Sequence, residues 1–380
     1  MVYYLLIFTF IITVAYTILI LYGIALVDKK IPIPAKSDTQ RPIVSVVIVV
    51  RNEAKNIVRC LNSIVSNTYP VKYYEIILVD DHSDDNTVDL ALSLKVSNLR
   101  ILSLSDYDMK PFGTSFKKAG LSIGVSNAKG EYILTSDGDC WMEADWIETM
   151  AKNIHSSGNA LITGKIEIPP SRSWLSLFQS FEIKAIMALT ELGIQKGMWY
   201  SANAANMIFK KSCFLAYYAT DYQISSASGD DIFFVEWLRK EGKSIGFNNE
   251  KEGKVFTSPM ETMNDLWNQR IRWATKWKSL QNKGLIWVHS IIFLMCTSIL
   301  VNLVVFSFLA PCLLYLVAAQ FVIKLLADYA LFKSINKTDS ASINKTYWFV
   351  LEFIHLCYVL AMGAGSLFLT NYVWKGRRVS

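Results

Sequence analysis

The chain has 380 residues, of which 52% are hydrophobic and 18% charged, and its formal net charge at pH 7 is +6. This length suits about two domains, and an apolar fraction above that of a typical soluble enzyme indicates that part of the chain lies in lipid. The lysines and arginines are spread through the sequence, which excludes a nucleic-acid-binding stripe. The six cysteines form no Cys-x-x-Cys pair and no zinc-spaced cluster with histidine, and they fit a reduced compartment.

The first apolar stretch, residues 2 to 27, has no charged side chain, and as a helix it would cross a hydrocarbon core of roughly 30 Å. Basic residues follow this stretch and do not precede it, which indicates a membrane anchor and not a signal peptide. By the positive-inside rule, they place the next domain in the cytoplasm. We therefore predict four regions: a transmembrane anchor at 1–28, a linker at 29–41, a cytoplasmic domain at 42–281 and a C-terminal membrane region at 282–380.

From Ile43 onward, β-branched runs alternate with amphipathic helical stretches. This alternation predicts an α/β domain with a mostly parallel sheet and helices on its faces. The first run, residues 43–50, has the composition of a strand buried on both faces. The other predicted strands are 75–80, 99–104, 132–136 and 160–168, and predicted helices begin near Asn52, after the acidic turn 80–87 and at Phe116.

Two of these strands end in carboxylates. Asp80 and Asp81 end the strand at 75–80, and Asp137 and Asp139 follow the strand at 132–136. At the carboxyl ends of strands in an open α/β sheet, such residues lie where nucleotides and phosphates bind. Two carboxylates this close repel each other unless a cation or proton lies between them, and their oxygens suit Mg²⁺ or Mn²⁺. Capping of the next helix is the alternative for the Asp-x-Asp pair taken alone.

The chain has no phosphate loop of the Walker type and no Gly-x-Gly-x-x-Gly after the first strand, so neither a P-loop NTPase nor a dinucleotide enzyme is indicated. Six motifs follow one another in a recognisable order: Ser45-Val-Val-Ile-Val-Val-Arg-Asn-Glu53, Val79-Asp-Asp-His-Ser-Asp-Asp-Asn-Thr87, Lys117, Asp137-Gly-Asp139, Gly229-Asp-Asp231 and Gln269-Arg-Ile-Arg-Trp273. Together they resemble the family 2 glycosyltransferases of GT-A fold, including the membrane-embedded branch with cellulose, chitin and hyaluronan synthases and ceramide glucosyltransferase. The resemblance covers residues 42 to 280 and implies a Rossmann-like GT-A domain with N- and C-terminal transmembrane helices.

The resemblance implies that four residues near the first two strands and the helix at Phe116 bind the nucleotide-sugar. Asp80 and Asp81 match the acidic turn that contacts the uracil and ribose of a UDP-sugar. Glu53 lies in the turn after the first strand, and Lys117 matches a basic residue near the donor.

The two remaining acidic pairs carry the chemistry that the resemblance implies. Asp137 and Asp139 match the Asp-x-Asp that coordinates the divalent ion bridging the donor's diphosphate, where a Lewis acid stabilises the leaving group. Asp230 and Asp231 match an acidic motif that is commonly Glu-Asp, and Asp231 takes the place of the base that removes the acceptor's proton. Favourable charge at a helix N-terminus is the alternative for this second pair.

Gln269, Arg272 and Trp273 match a motif that closes over the donor in the family. Arg272 would neutralise the diphosphate, Trp273 would form a wall beside the acceptor, and Gln269 would support both. The alternative is a basic juxtamembrane helix that contacts anionic lipid through Arg270, Lys276 and Lys278.

Three further apolar stretches predict membrane spans at about 285–306, 310–329 and 347–370. Lys324 and Asp328 lie four residues apart near the end of the second of these, which favours mutual pairing and leaves a lipid-headgroup site as the alternative.

We favour four full crossings, because Lys324 can snorkel to the interface and early spans outweigh terminal charges, although this leaves Lys375, Arg377 and Arg378 on the face opposite the cytoplasmic domain, against the charge rule. The alternative is that the third span, at 310–329, does not cross, since its uninterrupted apolar core is short. A separate stretch, 174–189, is interrupted by Glu182 and Lys184. It is too polar to span and predicts an interfacial or buried helix.

These features predict a membrane-anchored, cytoplasm-facing, inverting glycosyltransferase. It would use Mg²⁺ or Mn²⁺ and transfer sugar from a UDP-linked donor to a lipid or lipid-linked acceptor. A processive polysaccharide synthase is the alternative within the family, although four spans make a thin wall for a polymer channel. A transporter or receptor would need more polar residues within its spans, and a metal phosphoesterase is conceivable from the acidic turn at Asp80.

Overall fold

The computed structural model of the chain describes residues 2–27, 41–110, 115–220, 230–274, 282–335, 345–368, 372–375 and 377–379. The chain forms two compact units. The helical unit consists of Met1–Ile31, Ser171–Leu192 and Glu261–Thr370. The sheet unit consists of Pro32–Pro170, Gly193–Met260 and Asn371–Ser380. The predicted linker at 29–41 lies outside the described residues, except for Arg41.

The sheet unit alternates strands and helices. Its described strands are β1 (Val44–Val50), β2 (Tyr74–Asp80), β3 (Leu99–Ser103), β4 (Tyr132–Asp137), β5 (Cys140–Met142), β6 (Leu161–Gly164), β7 (Ile166–Glu167), β8 (Met207–Lys210), β9 (Ile245–Asn248), β10 (Val255–Thr257), β11 (Tyr372–Trp374) and β12 (Arg377–Val379). Its described helices are α2 (Ile57–Val65), α3 (Thr87–Ser93), α4 (Phe116–Asn127), α5 (Trp146–Ser157), α7 (Lys211–Tyr218) and α8 (Asp230–Lys240).

The main sheet has the strand order β3-β2-β1-β4-β8-β6-β9 in the described part of the chain. Strands β3, β2, β1 and β4 run parallel, as do β6 and β9, whereas β8 is antiparallel to both of its neighbours. This arrangement confirms the predicted α/β fold with a mostly parallel sheet. The predicted strand at 160–168 is interrupted at Lys165, so that β6 joins the main sheet and β7 pairs with β10 in a smaller sheet.

Strand β1 lies at the centre of the parallel half, between β2 and β4, and six of its seven residues are buried. Helix α4 packs closely on this strand. A side-chain carbon at Gly120 would meet Val49 Cγ1 at 2.6 Å, and one at Gly124 would meet Val47 Cγ1 at 2.5 Å. The two glycines therefore permit the close approach of α4 to β1, and Lys117 lies in the first turn of that helix.

The register of the sheet brings the acidic strand ends together. Val50, the last residue of β1, pairs with Asp80 on one side, and Val49 pairs with Asp137 on the other. Because these three strands are parallel, the turns that follow them leave the same edge of the sheet. This edge holds the candidate site.

The helical unit contains five long helices and a shorter, polar one. The long helices are α1 (Val2–Val27), most of α6 (Trp174–Lys196), α10 (Lys283–Leu309), α11 (Leu314–Ile335) and α12 (Lys345–Phe368), and the short helix is α9 (Met263–Ala274). Among the described residues, four segments are long and apolar enough to cross a membrane: Val2–Ala25, Lys283–Leu309, Pro311–Ser334 and Trp348–Gly365. They coincide with the four predicted spans, and α6 is not among them.

A buried group of ionisable side chains, which we call the lysine cluster, joins α1, α11 and α12. Lys324 Nζ lies 2.7 Å from Asp328 Oδ2 and 2.6 Å from Glu352 Oε2. The Tyr16 hydroxyl donates to Asp328 Oδ1 at 2.5 Å. The predicted pairing of Lys324 with Asp328 is thus confirmed, and Glu352 is a second partner that the sequence analysis did not identify.

Candidate active site

The turns after β1 and β2 interlock at the sheet edge. Asn52 and His82 both have left-handed backbone conformations, with φ of 53° and 52°. The Asn52 amide donates to Ser83 Oγ at 3.1 Å, and the Asp84 amide donates to Asn52 Oδ1 at 3.0 Å. Left-handed conformations at two non-glycine residues cost free energy and cluster at functional sites. These turns therefore hold their acidic side chains in a fixed arrangement.

Three predicted donor-binding carboxylates, Glu53, Asp80 and Asp81, are buried in these turns. Asp80 accepts hydrogen bonds from the Ser83 amide at 3.3 Å. Asp81 Oδ1 lies 3.1 Å from His82 Nδ1. The structure thus brings the three residues together, as the sequence predicted for the ends of parallel strands.

The Asp-x-Asp pair lies at the same sheet edge, and Lys117 contacts its first carboxylate. Lys117 Nζ lies 2.7 Å from Asp137 Oδ1, and both side chains are about one-third exposed. A side-chain carbon at Gly138 would meet Val50 Cγ1 at 2.7 Å and Glu53 Cγ at 3.1 Å. Glycine at this position therefore lets the turn after β4 lie directly against the turn after β1.

Negative charge is in excess around Asp139. Burial, followed by the nearby carboxylates of Asp137 and Glu53, raises the pKa of Asp139 to about 6, although Lys375 and Lys117 act in the opposite direction. A carboxylate in this position is stabilised by any added positive charge. The acidic edge is therefore suited to bind a cation.

The donor atoms fit Mg²⁺ or Mn²⁺ better than zinc. Burial and the charge of Asp139 raise the pKa values of the Cys60 and Cys140 thiols, so both stay protonated and carboxylate oxygens are the available ligands. No three Asp, Glu, His or Cys side chains among the described residues are grouped to hold a metal by themselves. One or two carboxylates are enough for Mg²⁺ when substrate phosphates supply further ligands. Asp137 and Asp139 would be those carboxylates.

Asp231 is connected to the end of β4 through a short turn. Its Oδ2 atom accepts a hydrogen bond from the Ala204 amide at 3.4 Å. The next residue, Ala205, accepts one from Ser136 Oγ at 2.9 Å, and Ser136 directly precedes Asp137. Asp231 therefore lies at the same sheet edge as the Asp-x-Asp pair.

Asp231 and its neighbour are placed at the beginning of a helix. Asp230 is the first residue of α8, and Gly229 of the same motif lies outside the described residues. The turn that donates to Asp231 spans Ala204–Asn206. It precedes β8, the antiparallel strand that was not predicted from the sequence. The run of small residues and asparagines at 201–206 is the sequence feature that indicates this turn.

Gln269, Arg272 and Trp273 lie on α9 in the helical unit, where the central residue is Arg270. The Arg270 guanidinium bonds both Glu182 oxygens, at 3.1 Å and 2.5 Å. It also donates to Gln269 Oε1 and lies over the Trp273 ring, 4.1 Å from its centroid. Arg272 is partly exposed. The alternative of a lipid contact is wrong for Arg270, because its side chain is only 2% exposed. Lys276 and Lys278, the other two residues of that alternative, lie outside the described residues.

Three basic residues at the sheet edge were not assigned roles from the sequence. Arg51 Nη1 donates to the carbonyl oxygens of Asp81 and His82, at 2.8 Å and 2.6 Å. Arg59 donates to the Asp139 carbonyl oxygen at 3.3 Å, and Lys375 contacts Glu53. Arg51 could have been found from its place directly after β1, whereas Arg59 gives no such sequence signal.

The acidic turns lie at the carboxyl ends of adjacent parallel strands, which is where open α/β domains bind their ligands. Residues 45–196 match the family described as "Glycosyl transferase family 2". Residues 132–363, more than half of the chain, match "Glycosyl transferase family group 2". The chain therefore belongs to the family 2 glycosyltransferases, and the resemblance found from its motifs is confirmed.

Two curated relatives agree with this assignment. Glycosyltransferase AglE of Haloferax volcanii is 36% identical over 128 residues, which are 33% of this chain and 40% of the relative. The poly-beta-1,6-N-acetyl-D-glucosamine synthase of Staphylococcus aureus is 28% identical over 234 residues, which are 59% of this chain and 52% of the relative. The chain thus spans about half or less of the length of these relatives.

A solved structure shares the fold. It is the mannosyltransferase PcManGT from Pyrobaculum calidifontis, in complex with GDP-Man and Mn²⁺. The TM-score is 0.54 at 16% identity, and the match covers 94% of this chain and 98% of that chain. At this identity the likeness is one of fold.

Proposed function

We propose that the protein transfers a sugar from a UDP-linked donor to a lipid or lipid-linked acceptor, with inversion at the anomeric carbon. The observation that carries this proposal is the gathering of Glu53, Asp80, Asp81, Asp137 and Asp139 at one sheet edge, with Lys117 on Asp137. Membership of the family 2 glycosyltransferases supports a nucleotide-sugar as the ligand of that acidic edge. The domain at 42–281 would face the cytoplasm and take its acceptor from the membrane surface.

Donor binding follows from the three acidic turns. Asp80 and Asp81 would bind the uracil and ribose, since their carboxylates accept hydrogen bonds from imide and hydroxyl groups. The Lys117 ammonium would leave Asp137 and bind the diphosphate, where it would neutralise charge on the leaving group. Asp137 and Asp139 would hold a Mg²⁺ or Mn²⁺ ion, which would supply Lewis-acid stabilisation of the same diphosphate. The complex of PcManGT with Mn²⁺ and GDP-Man supports the use of a divalent ion.

Asp231 would act as the general base. An acceptor hydroxyl must lose its proton as it attacks the anomeric carbon, and a carboxylate within hydrogen-bond reach accepts that proton. A single displacement from the side opposite the diphosphate inverts the anomeric configuration. Asp230, adjacent to it at the start of α8, would share the acidic motif with the base.

Helix α9 would contribute the closing residues. Arg270 fixes the helix through its bidentate contact with Glu182 and orients Gln269 and Trp273. Arg272 would bind the diphosphate, and Trp273 would border the acceptor. These roles rest on the match to the family motif.

A processive polysaccharide synthase is the second candidate. The likeness to the poly-beta-1,6-N-acetyl-D-glucosamine synthase over 234 residues favours it. Single transfer to a lipid is preferred because the four candidate spans are few helices to enclose a channel for a growing polymer.

The test is to incubate membranes containing the protein with labelled UDP- and GDP-sugars and Mg²⁺ or Mn²⁺, and then to extract with organic solvent. We expect label from a UDP-sugar in a small lipid-soluble product, with release of UDP and none in excess chelator. Large insoluble product would mean a polymerase, and transfer only from GDP-sugars would overturn the donor assignment. Release of inorganic phosphate from simple esters without sugar transfer would refute the proposed function.

A further inference from the structure

A two-stranded hairpin near the C-terminal end of the sequence belongs to the sheet unit. Strands β11 and β12 pair antiparallel, with Tyr372 opposite Val379 and Trp374 opposite Arg377. Lys375 lies at the turn between them, in a left-handed conformation with φ of 46°. The hairpin thus presents a basic residue at its tip, and nothing in the proposed function above uses it.

The tip of the hairpin contacts the acidic site. Lys375 Nζ lies 2.7 Å from Glu53 Oε1. The Lys375 carbonyl oxygen accepts a hydrogen bond from Arg51 Nε at 3.4 Å. Arg51 follows β1 and also donates to the Asp81 and His82 carbonyl oxygens in the turn after β2. This arginine therefore connects the hairpin to the turns after both strands.

The Lys375 side chain is 33% exposed, whereas that of Glu53 is 8% exposed. The ammonium therefore covers a buried carboxylate from the solvent side, where a ligand would arrive.

We propose that Lys375 is a donor-binding residue, whose ammonium leaves Glu53 for the diphosphate oxygens when the nucleotide-sugar binds. This inference rests on the proposed function. An ammonium has three donors on a flexible stem, so it reaches a new acceptor without movement of the hairpin backbone that Arg51 holds. Lys117 makes the same kind of exchange from Asp137. The two lysines would then neutralise the diphosphate together.

The test is the Lys375→Ala variant, measured for sugar transfer in membranes at varied donor concentration. A hydrogen bond to a charged group gives about a tenfold rise in the donor KM when it is lost, and kcat should change much less. Lys375→Arg should restore most of the affinity, because arginine keeps the charge. Lys152→Ala is the matched control, since Lys152 is an exposed lysine on α5, and it should leave both constants unchanged.

Inhibition by UDP and by uridine separates a phosphate contact from a structural role. In Lys375→Ala, inhibition by UDP should weaken about tenfold and inhibition by uridine should not change. Equal weakening of both, an unchanged donor KM, or a lower donor KM would each overturn the inference while leaving the proposed function intact. Absence of transfer by the unaltered protein with every donor would refute the proposed function, and the inference with it.

Discussion

The acidic sheet edge and the lysine cluster are both groups of ionisable side chains, and they differ in how their charge is balanced. At the sheet edge, carboxylates outnumber the two lysines that contact them, and Asp137 is about one-third exposed. In the lysine cluster, Lys324 is fully buried and contacts two carboxylates that are at most 10% exposed. The first group offers unbalanced charge to a ligand, and the second encloses its charge.

This difference separates a binding site from a structural contact. Carboxylates that repel one another lower the free energy of unfolding until a cation binds between them. The bound cation then stabilises the folded protein. A buried lysine without partners would be far more costly than one held by two carboxylates. Three predictions follow from this contrast, in order of expected size.

The largest effect is expected for Asp139→Asn. Loss of one of the two carboxylates that would hold the ion removes several kcal/mol of transition-state stabilisation, so sugar transfer should fall about a thousandfold. The midpoint of thermal unfolding should stay the same or rise, because the variant relieves repulsion among carboxylates. Both are measured on the purified protein in detergent. Transfer that persists in the variant, or in excess chelator, would contradict the metal assignment.

A smaller loss is expected for Asp231→Asn. General-base catalysis contributes about a hundredfold or more, so transfer should slow by that amount while the donor KM stays close to that of the unaltered protein. Asp231 receives a hydrogen bond from the Ala204 amide, which the asparagine side-chain oxygen can still accept. Near-normal turnover would show that another group takes the proton.

The smallest effect on activity, and the clearest effect on stability, is expected for Lys324→Met. Removing the cation leaves Asp328 and Glu352 buried without their partner, which should lower the free energy of unfolding by about 3 kcal/mol. Transfer per folded molecule should be unchanged.

Glu352→Gln is the matched control for that variant. It removes one surplus negative charge and keeps an oxygen for Lys324, so the free energy of unfolding should change by less than about 1 kcal/mol. Thermal unfolding in detergent measures both variants. A loss of transfer in folded Lys324→Met would mean that the cluster takes part in function.

The parallel half of the sheet could be predicted from the sequence because its signals are local. The β-branched run at Val44–Val50 and the helix at Phe116–Asn127 were found within a residue of their observed bounds. Parallel strands of an α/β unit end at one edge, so the position of Asp80 and Asp137 at the same edge also followed from the pattern.

Contacts between distant parts of the chain could not be predicted in this way. The partners Arg270 and Glu182 are 88 positions apart, and Lys375 and Glu53 are 322 apart. Neither pair belongs to a repeating pattern that periodicity detects. Strand β8 was missed because Met207–Lys210 is too short to show alternation. The segment enters the sheet between β4 and β6, a position that only the fold determines.

The hairpin at Lys375 also limits how the chain can thread a bilayer. It lies against Glu53, so the chain leaves the sheet unit before α10 and returns to it after α12. A chain that leaves one face of a bilayer and returns to it crosses an even number of times, and the described residues of this segment include three candidate spans. If the sheet unit lies on one face of a bilayer, the three helices would not all cross. Lys375 and its neighbouring arginines would then share the face of the acidic site, which would remove the conflict with the charge rule that four full crossings create.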